Sequence, residues 1–233
     1  MQYKGNFSGS SMVVIRYKIS ATGLVPGVIV CAAANGDSGE IIVTAATATA
    51  NQMGLLADAA STVGETLAYS TVQGDAEASY GVIVNPDAIL RGLMVTGATG
   101  TTITQDTIVT ASSNGLTWVG GTSVASPDMD QGTVWYTSGA NIGRSRKITS
   151  TGATVTGTVI VPFAANAVGD TILYAGISPG LQGITLTTSV LNLRADIAVA
   201  TGVNVTTVKM ELNGSTDSFA HVVMTDHVFA QIT

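Results

Sequence analysis

Val203-Asn204-Val205-Thr206-Thr207-Val208-Lys209-Met210-Glu211-Leu212 interleaves apolar and polar side chains with the period of a strand that buries one face and wets the other. Its apolar side packs while Lys209 and Glu211 point outward. Its Val and Thr residues suit a pleated surface better than a helix, where β-branching crowds the preceding turn. Asn213-Gly214 then supplies a tight-turn signal, and Phe219 to Ala230 reads as the returning strand.

The same vocabulary of Val, Ile and Thr punctuated by Gly runs through the rest of the chain. It predicts strands over Val13 to Ser20, Gly27 to Ala33, Glu40 to Thr47, Thr66 to Val72, Gly81 to Val84 and Ala88 to Thr96. Beyond these come Thr107 to Ala111, Leu116 to Val119, Thr133 to Tyr136, Ser145 to Ser150, Val155 to Val161, Thr171 to Ala175 and Ile184 to Leu193. The one helical candidate, Gln52 to Ala60, is short and interrupted by Gly54. The expected fold is all-β, with short antiparallel strands in one or two sandwich- or barrel-like domains and very little helix.

Residues 1–10, polar and rich in Gly and Ser, read as a flexible N-terminal arm. Asn85-Pro86-Asp87 marks a boundary, because proline stops the preceding strand and keeps Asn85 out of the helical region. The expected division is an N-terminal β domain over 11–86 and a C-terminal one over 87–233, with interleaving left open. Val28 to Ala33 and Val159-Ile160-Val161 are apolar on both faces, so both sides need cover from another sheet or another chain.

Only 10% of the 233 residues are charged, against roughly a quarter in an ordinary soluble domain. That composition excludes a coiled coil and a disordered chain. With 9 basic against 15 acidic residues and a net charge of −6, a broad basic face for nucleic acid is not expected. No stretch of about 18 residues escapes Gly, polar or charged interruption, so no membrane-spanning helix is expected. Aromatics at 5% do not make the girdles of an outer-membrane barrel, and Met1-Gln2-Tyr3-Lys4-Gly5 has no apolar leader, so the expectation is synthesis in the cytoplasm. Cys31 is alone and reads as a small buried hydrophobe.

Chemistry-bearing patterns are weak. Gly121-Thr122-Ser123-Val124-Ala125-Ser126-Pro127 resembles the nucleophile peptide of subtilisin-like proteases, but His221 and His227 both follow Ser123, so that family's order of Asp, His, Ser is missing. His221 and His227 stand six residues apart in one expected strand, about 20 Å at the usual rise, too far for one metal ion. Asp128 with Asp130, and Asp75 with Glu77, lack the ligand density of a calcium loop. Gly97-Ala98-Thr99-Gly100-Thr101 lacks the lysine and helix of a phosphate loop. No catalytic, cofactor or metal residues are therefore assigned, and the chain is expected not to be an enzyme. Trp118, Trp135 and Tyr136 read as a packing cluster, or as a sugar-stacking platform if exposed.

Four phrases carry a resemblance: Asn85 to Val95, Gln131 to Arg146, Ala167 to Thr171, and Asp217 to Val223. Together they resemble virion proteins of tailed bacteriophages, in particular the head decoration, or cement, proteins. The resemblance implies a non-enzymatic β-rich subunit that binds the outer surface of an icosahedral capsid and bridges neighbouring capsomers. It implies the major capsid protein as partner and self-association as a trimer or, second, a dimer. The competing readings are a tail, neck or fibre component and a carbohydrate- or receptor-binding module. Candidate interface residues are Tyr3 and Phe7 in the N-terminal arm, and Arg144, Arg146 and Lys147, the one concentration of positive charge.

Overall fold

The computed structural model describes residues 1–19, 24, 26–33, 41–46, 52–57, 79–95, 103–112, 114–120, 132–151, 156–164, 168–180, 182–185, 192–194, 203–225 and 227. Among them there is no helix, and the fold is all-β. β1 (Gln2–Asn6) opens the chain. A first closed barrel follows, built from β2 (Val14–Ile19), β3 (Ile29–Ala33), β4 (Ile42–Ala45), β5 (Gln52–Leu56) and β6 (Ser79–Ile83) in the order β2-β4-β3-β5-β6. Antiparallel β2–β6 pairing closes it, and β2–β4 is its one parallel pair among the described residues.

After the Asn85–Asp87 turn comes β7 (Ala88–Val95). A second closed barrel then forms from β8 (Thr104–Ala111), β9 (Thr117–Gly120), β10 (Thr133–Tyr136), β11 (Ser145–Thr151), β12 (Thr156–Val159) and β13 (Thr171–Ala175), in the order β10-β11-β12-β9-β8-β13. The chain returns through β14 (Gln182–Thr185), β15 (Asn192–Arg194), β16 (Asn204–Glu211) and β17 (Phe219–Met224). These join β1 and β7 in the order β1-β7-β15-β14-β16-β17, and a further β7–β17 pairing turns the sheet back on itself. One edge of β7 holds β1 against residues 88–91 and then β15 against residues 93–95. This closed sheet is the trunk, and the two barrels are insertions between its strands.

Three expectations differ from the structure. Gln2–Asn6 is a strand, not part of a flexible arm: Gln2 pairs with Arg91 and Asn6 with Ala88, and the Phe7 amide donates to the Asp87 carbonyl. Pairing with β7 satisfies backbone groups that an arm would leave to water. Gln52–Leu56 is a strand, not a helix, and all five residues are buried, because β5 is flanked by β3 and β6. Residues 58–60 of that candidate lie outside the described residues. The expected strand Ile184 to Leu193 is two, with Ile184 opposite Arg194 and Thr185 opposite Leu193, so the run folds back and each half pairs with the other.

Two hydrophobic clusters hold the molecule. The larger joins Ile29, Val30 and Leu56 of the first barrel to Leu90, Met94, Val205 and Val222 of the trunk, and also takes in Trp135 and Leu173. The smaller lies inside the second barrel, around Ile108, Trp118, Val134, Tyr136, Ile148 and Ile172. That is why every residue of β10 is buried: Val134 and Tyr136 fill the barrel while Trp135 packs outside it. Cys31 is buried as expected, its Sγ directed at the Ala45 carbonyl.

Candidate functional site

The interface candidates have separate fates. Tyr3 packs partly buried against the larger core, and its hydroxyl donates to Asn6 Oδ1 at 3.0 Å. Phe7, just past β1, is 70% exposed. Arg144 ends the 137–144 hairpin loop and is exposed, while Lys147 is exposed on β11. Arg146 is half-buried: Nη1 donates to the Ser145 carbonyl at 2.8 Å, and the guanidinium lies 5.2 Å from the Phe163 ring centroid. The three cations therefore do not form one flat patch.

Trp118, Trp135 and Tyr136 are all buried, so none offers a face on which a sugar could stack. Tyr136 meets Phe163 edge to face with centroids 4.6 Å apart, and Phe163 is buried in the smaller core cluster. Ser123, the pairs Asp128/Asp130 and Asp75/Glu77, the Gly97–Thr101 turn, Asp226 and the strand expected at Thr66–Val72 lie outside the described residues.

A cluster of charged side chains lies on the outside of the trunk. Cross-strand register places His221 opposite Arg91 on one side and Lys209 on the other. Arg91 Nε and Nη2 donate to Glu211 Oε2 at 2.9 and 2.8 Å, and His221 Nε2 lies 2.7 Å from Oε1. The Arg91 guanidinium also stacks 3.4 Å from the Phe219 ring centroid. Hydrogen bonds from Arg91 and then His221 hold the Glu211 carboxyl at about 2. Both carboxylate oxygens are thus engaged, and the cluster clasps β7, β17 and β16 together.

Buried ionisable groups elsewhere are also engaged by the fold. Inside the second barrel, Asp106 Oδ1 accepts from the Thr107 amide at 2.7 Å and Oδ2 from the Tyr174 hydroxyl at 2.5 Å. Burial, then Asp106, pushes the Tyr174 phenol far above its usual range. His227 is fully buried and bridges to Gln52, and burial lowers its imidazole to about 4 despite a hydrogen bond with the Met53 backbone. Among the described residues no three His, Cys, Asp or Glu side chains group as a metal site.

What sequence reasoning missed is the distribution of exposed aliphatic side chains. Phe7 and the run Met12, Val13, Val14 and Ile15 are exposed around the Asn85–Asp87 turn. The Asn85 side chain fastens this run, with Oδ1 accepting from the Val13 amide at 2.7 Å and Nδ2 donating to the Ser11 carbonyl at 3.0 Å. A second group is Ile142, Ile160, Val161 and Val168, exposed by 65%, 74%, 55% and 68%. They cluster at one end of the second barrel. The Thr137 amide donates to the Thr171 carbonyl, the Gly169 amide to Ile108 and the Phe163 amide to Gly115, so the 112–116, 137–144 and 160–170 connections share that end. The signal was present in Val159-Ile160-Val161, where Val159 is buried by its own chain and the next two residues are not. No protein-family model, curated protein or solved structure matches the chain.

Proposed function

We propose that this chain is a non-enzymatic structural subunit of a tailed-phage particle, bound to the outside of the icosahedral capsid, where it bridges neighbouring capsomers. The observation that carries the reading is the grouping of exposed aliphatic side chains into two patches, at Met12–Ile15 and at the Ile142/Ile160/Val161/Val168 barrel end. Monomeric surfaces scatter such residues singly, and grouped ones mark contact surfaces. The phrases around Asn85–Val95, Gln131–Arg146 and Asp217–Val223 point to the decoration class within virion proteins. A subunit that binds only the assembled shell stabilises it by mass action, so many modest contacts repeated over the lattice suffice. The major capsid protein is the expected partner and a trimer the expected unit. The buried Trp118, Trp135 and Tyr136 rings weigh against a sugar-binding module built on them.

The test is a cryo-EM map of the native particle that contains the chain. Density on the outer face at local symmetry axes is the expected result. Density in a tail, neck or fibre, or absence from any particle, overturns the capsid assignment.

A further inference from the structure

We infer that Asn213 is a site of spontaneous deamidation, converted to aspartate and isoaspartate in the folded protein with Asp217 of the same hairpin as the base. The inference stands apart from the capsid reading. The reaction needs the backbone nitrogen of the next residue to reach the side-chain carbonyl carbon, and glycine leaves that nitrogen unshielded. Asn213-Gly214 meets this requirement in the β16–β17 connection, where Asn213 and Asp217 are both exposed. The Gly214 amide donates to Asp217 Oδ1 at 2.5 Å, and Asn213 Nδ2 donates to the Asp217 carbonyl at 3.1 Å. One residue thus holds the proton of the attacking nitrogen on its carboxylate and the leaving nitrogen on its carbonyl. A positioned general base has to lie within hydrogen-bond reach of the proton it takes, and Asp217 does.

Asp217 takes the Gly214 amide proton as that nitrogen bonds to Asn213 Cγ. The Cγ–Nδ2 bond then breaks, the proton passes to the departing nitrogen, and ammonia leaves behind a cyclic succinimide. Water opens the ring at either carbonyl, and attack at the main-chain one leaves isoaspartate, with an extra methylene in the backbone. Asn114-Gly115 carries the same dipeptide in a different setting. The Gly115 amide donates to the Ser112 carbonyl at 3.1 Å, Gly115 is buried against the Phe163 carbonyl, and Asn114 Oδ1 accepts from the Leu116 amide at 3.1 Å. Its amide proton faces a peptide carbonyl, which is no base. Asn35-Gly36 lies outside the described residues.

The product disturbs more than the turn. The Asn213 amide donates to Ser218 Oγ and Ser218 Oγ to the Gly214 carbonyl, while the Ile103 amide donates to the Ser215 carbonyl and the Met94 amide to the Ser218 carbonyl. A carboxylate in place of the Asn213 amide faces the Asp217 carbonyl with no donor, and a longer backbone displaces the Ser215 and Ser218 carbonyls. Deamidation therefore loosens the hairpin that ties β7 to the lead into β8.

The experiment incubates the folded full chain at neutral pH and follows the Asn213 and Asn114 peptides by mass spectrometry, with isoaspartyl methyltransferase labelling to count isoaspartate. Asp217→Asn, checked for the native spectrum by circular dichroism, is the companion variant. Asn213 is expected to convert ahead of Asn114 in the native chain. In the variant Asn213 is expected to slow by on the order of 100-fold while Asn114 keeps its rate. If the variant misfolds, the native chain decides alone: unfolding it in urea takes Asp217 away from the Gly214 amide, so Asn213 is expected to convert more slowly there than in the folded protein. Asn213 converting no faster than Asn114 in the folded chain, faster in urea than when folded, or at an unchanged rate in folded Asp217→Asn overturns the inference.

Discussion

Tyr174 and Asp106 lie one pleat apart on neighbouring strands, and the phenol donates to Oδ2 at 2.5 Å inside the second barrel. The register that pairs Ile172 with Asp106 places Tyr174 diagonally across from it. Removing only the hydroxyl leaves a buried carboxylate short of a donor, so Tyr174→Phe is expected to destabilise the protein by about 1–3 kcal/mol in urea unfolding. The phenol is raised above its ordinary value of 10.0, so the unfolded chain loses this proton first as pH rises. The contribution is complete below 10 and declines above it, and the variant is expected to flatten that alkaline decline. An unchanged alkaline limb would place its origin elsewhere.

Glu211 titrates in the opposite direction. Its carboxyl is held at about 2 against an ordinary 4.5, so between those values the unfolded chain binds the proton more readily. The contribution is present above 4.5 and lost as pH falls toward 2. Comparing acid unfolding of the native chain with Glu211→Gln is expected to show a shallower limb in the variant. Identical limbs would mean that the Arg91 and His221 contacts are not made in solution.

His227 is expected to govern a milder window. Burial lowers it from 6.5 to about 4, so below 6.5 the unfolded chain is protonated while the folded one stays neutral. Stability therefore falls between 6.5 and 4, by at most on the order of 3 kcal/mol. Denaturant midpoints measured across that range for the native chain and His227→Gln check this. The variant is expected to lose the slope even where it is less stable overall.

Gly157 on β12 lies opposite Trp118, and a Cβ there would stand 2.0 Å from the indole. Gly157→Ala is expected to cost about 1–3 kcal/mol, because the ring has to move within a filled barrel. A thermal melt and the near-ultraviolet signal of Trp118 report the loss and the shift together. A variant as stable as the native chain would show that the ring has slack.

Val203 to Leu212 shows how far pattern reading reaches. Val203 and Val205 hold odd positions, whereas Val208, Met210 and Leu212 hold even ones, so no uninterrupted strand turns all five inward. A bulge resolves the phase for Met210 and Leu212: Thr207 pairs with Val222 and Lys209 with His221, leaving Val208 as the extra residue, and Met210 and Leu212 pack partly buried on the larger core. The phase change was legible, but its resolution depends on what β17 presents across the ladder. For the candidate site, the cations around Arg144 were visible as a run. That Arg146 lies over the Phe163 ring while Arg144 stays exposed depends on where the 160–163 connection returns.

The amino-acid order alone determined that this chain is all-β, because β-branched alternation and closely spaced Gly, Asn and Pro turns are local properties that each short segment carries by itself. It also determined the low charge that leaves sheet surfaces dependent on packing. The tertiary structure decided that β1 returns to β7, that two barrels are inserted into one trunk, and that Ile160 and Val161 remain uncovered while Trp118, Trp135 and Tyr136 do not. Those outcomes rest on pairings between residues far apart in the chain. Backbone hydrogen bonding is the same chemistry for every strand, so which partner each one takes is settled only when the whole core is packed.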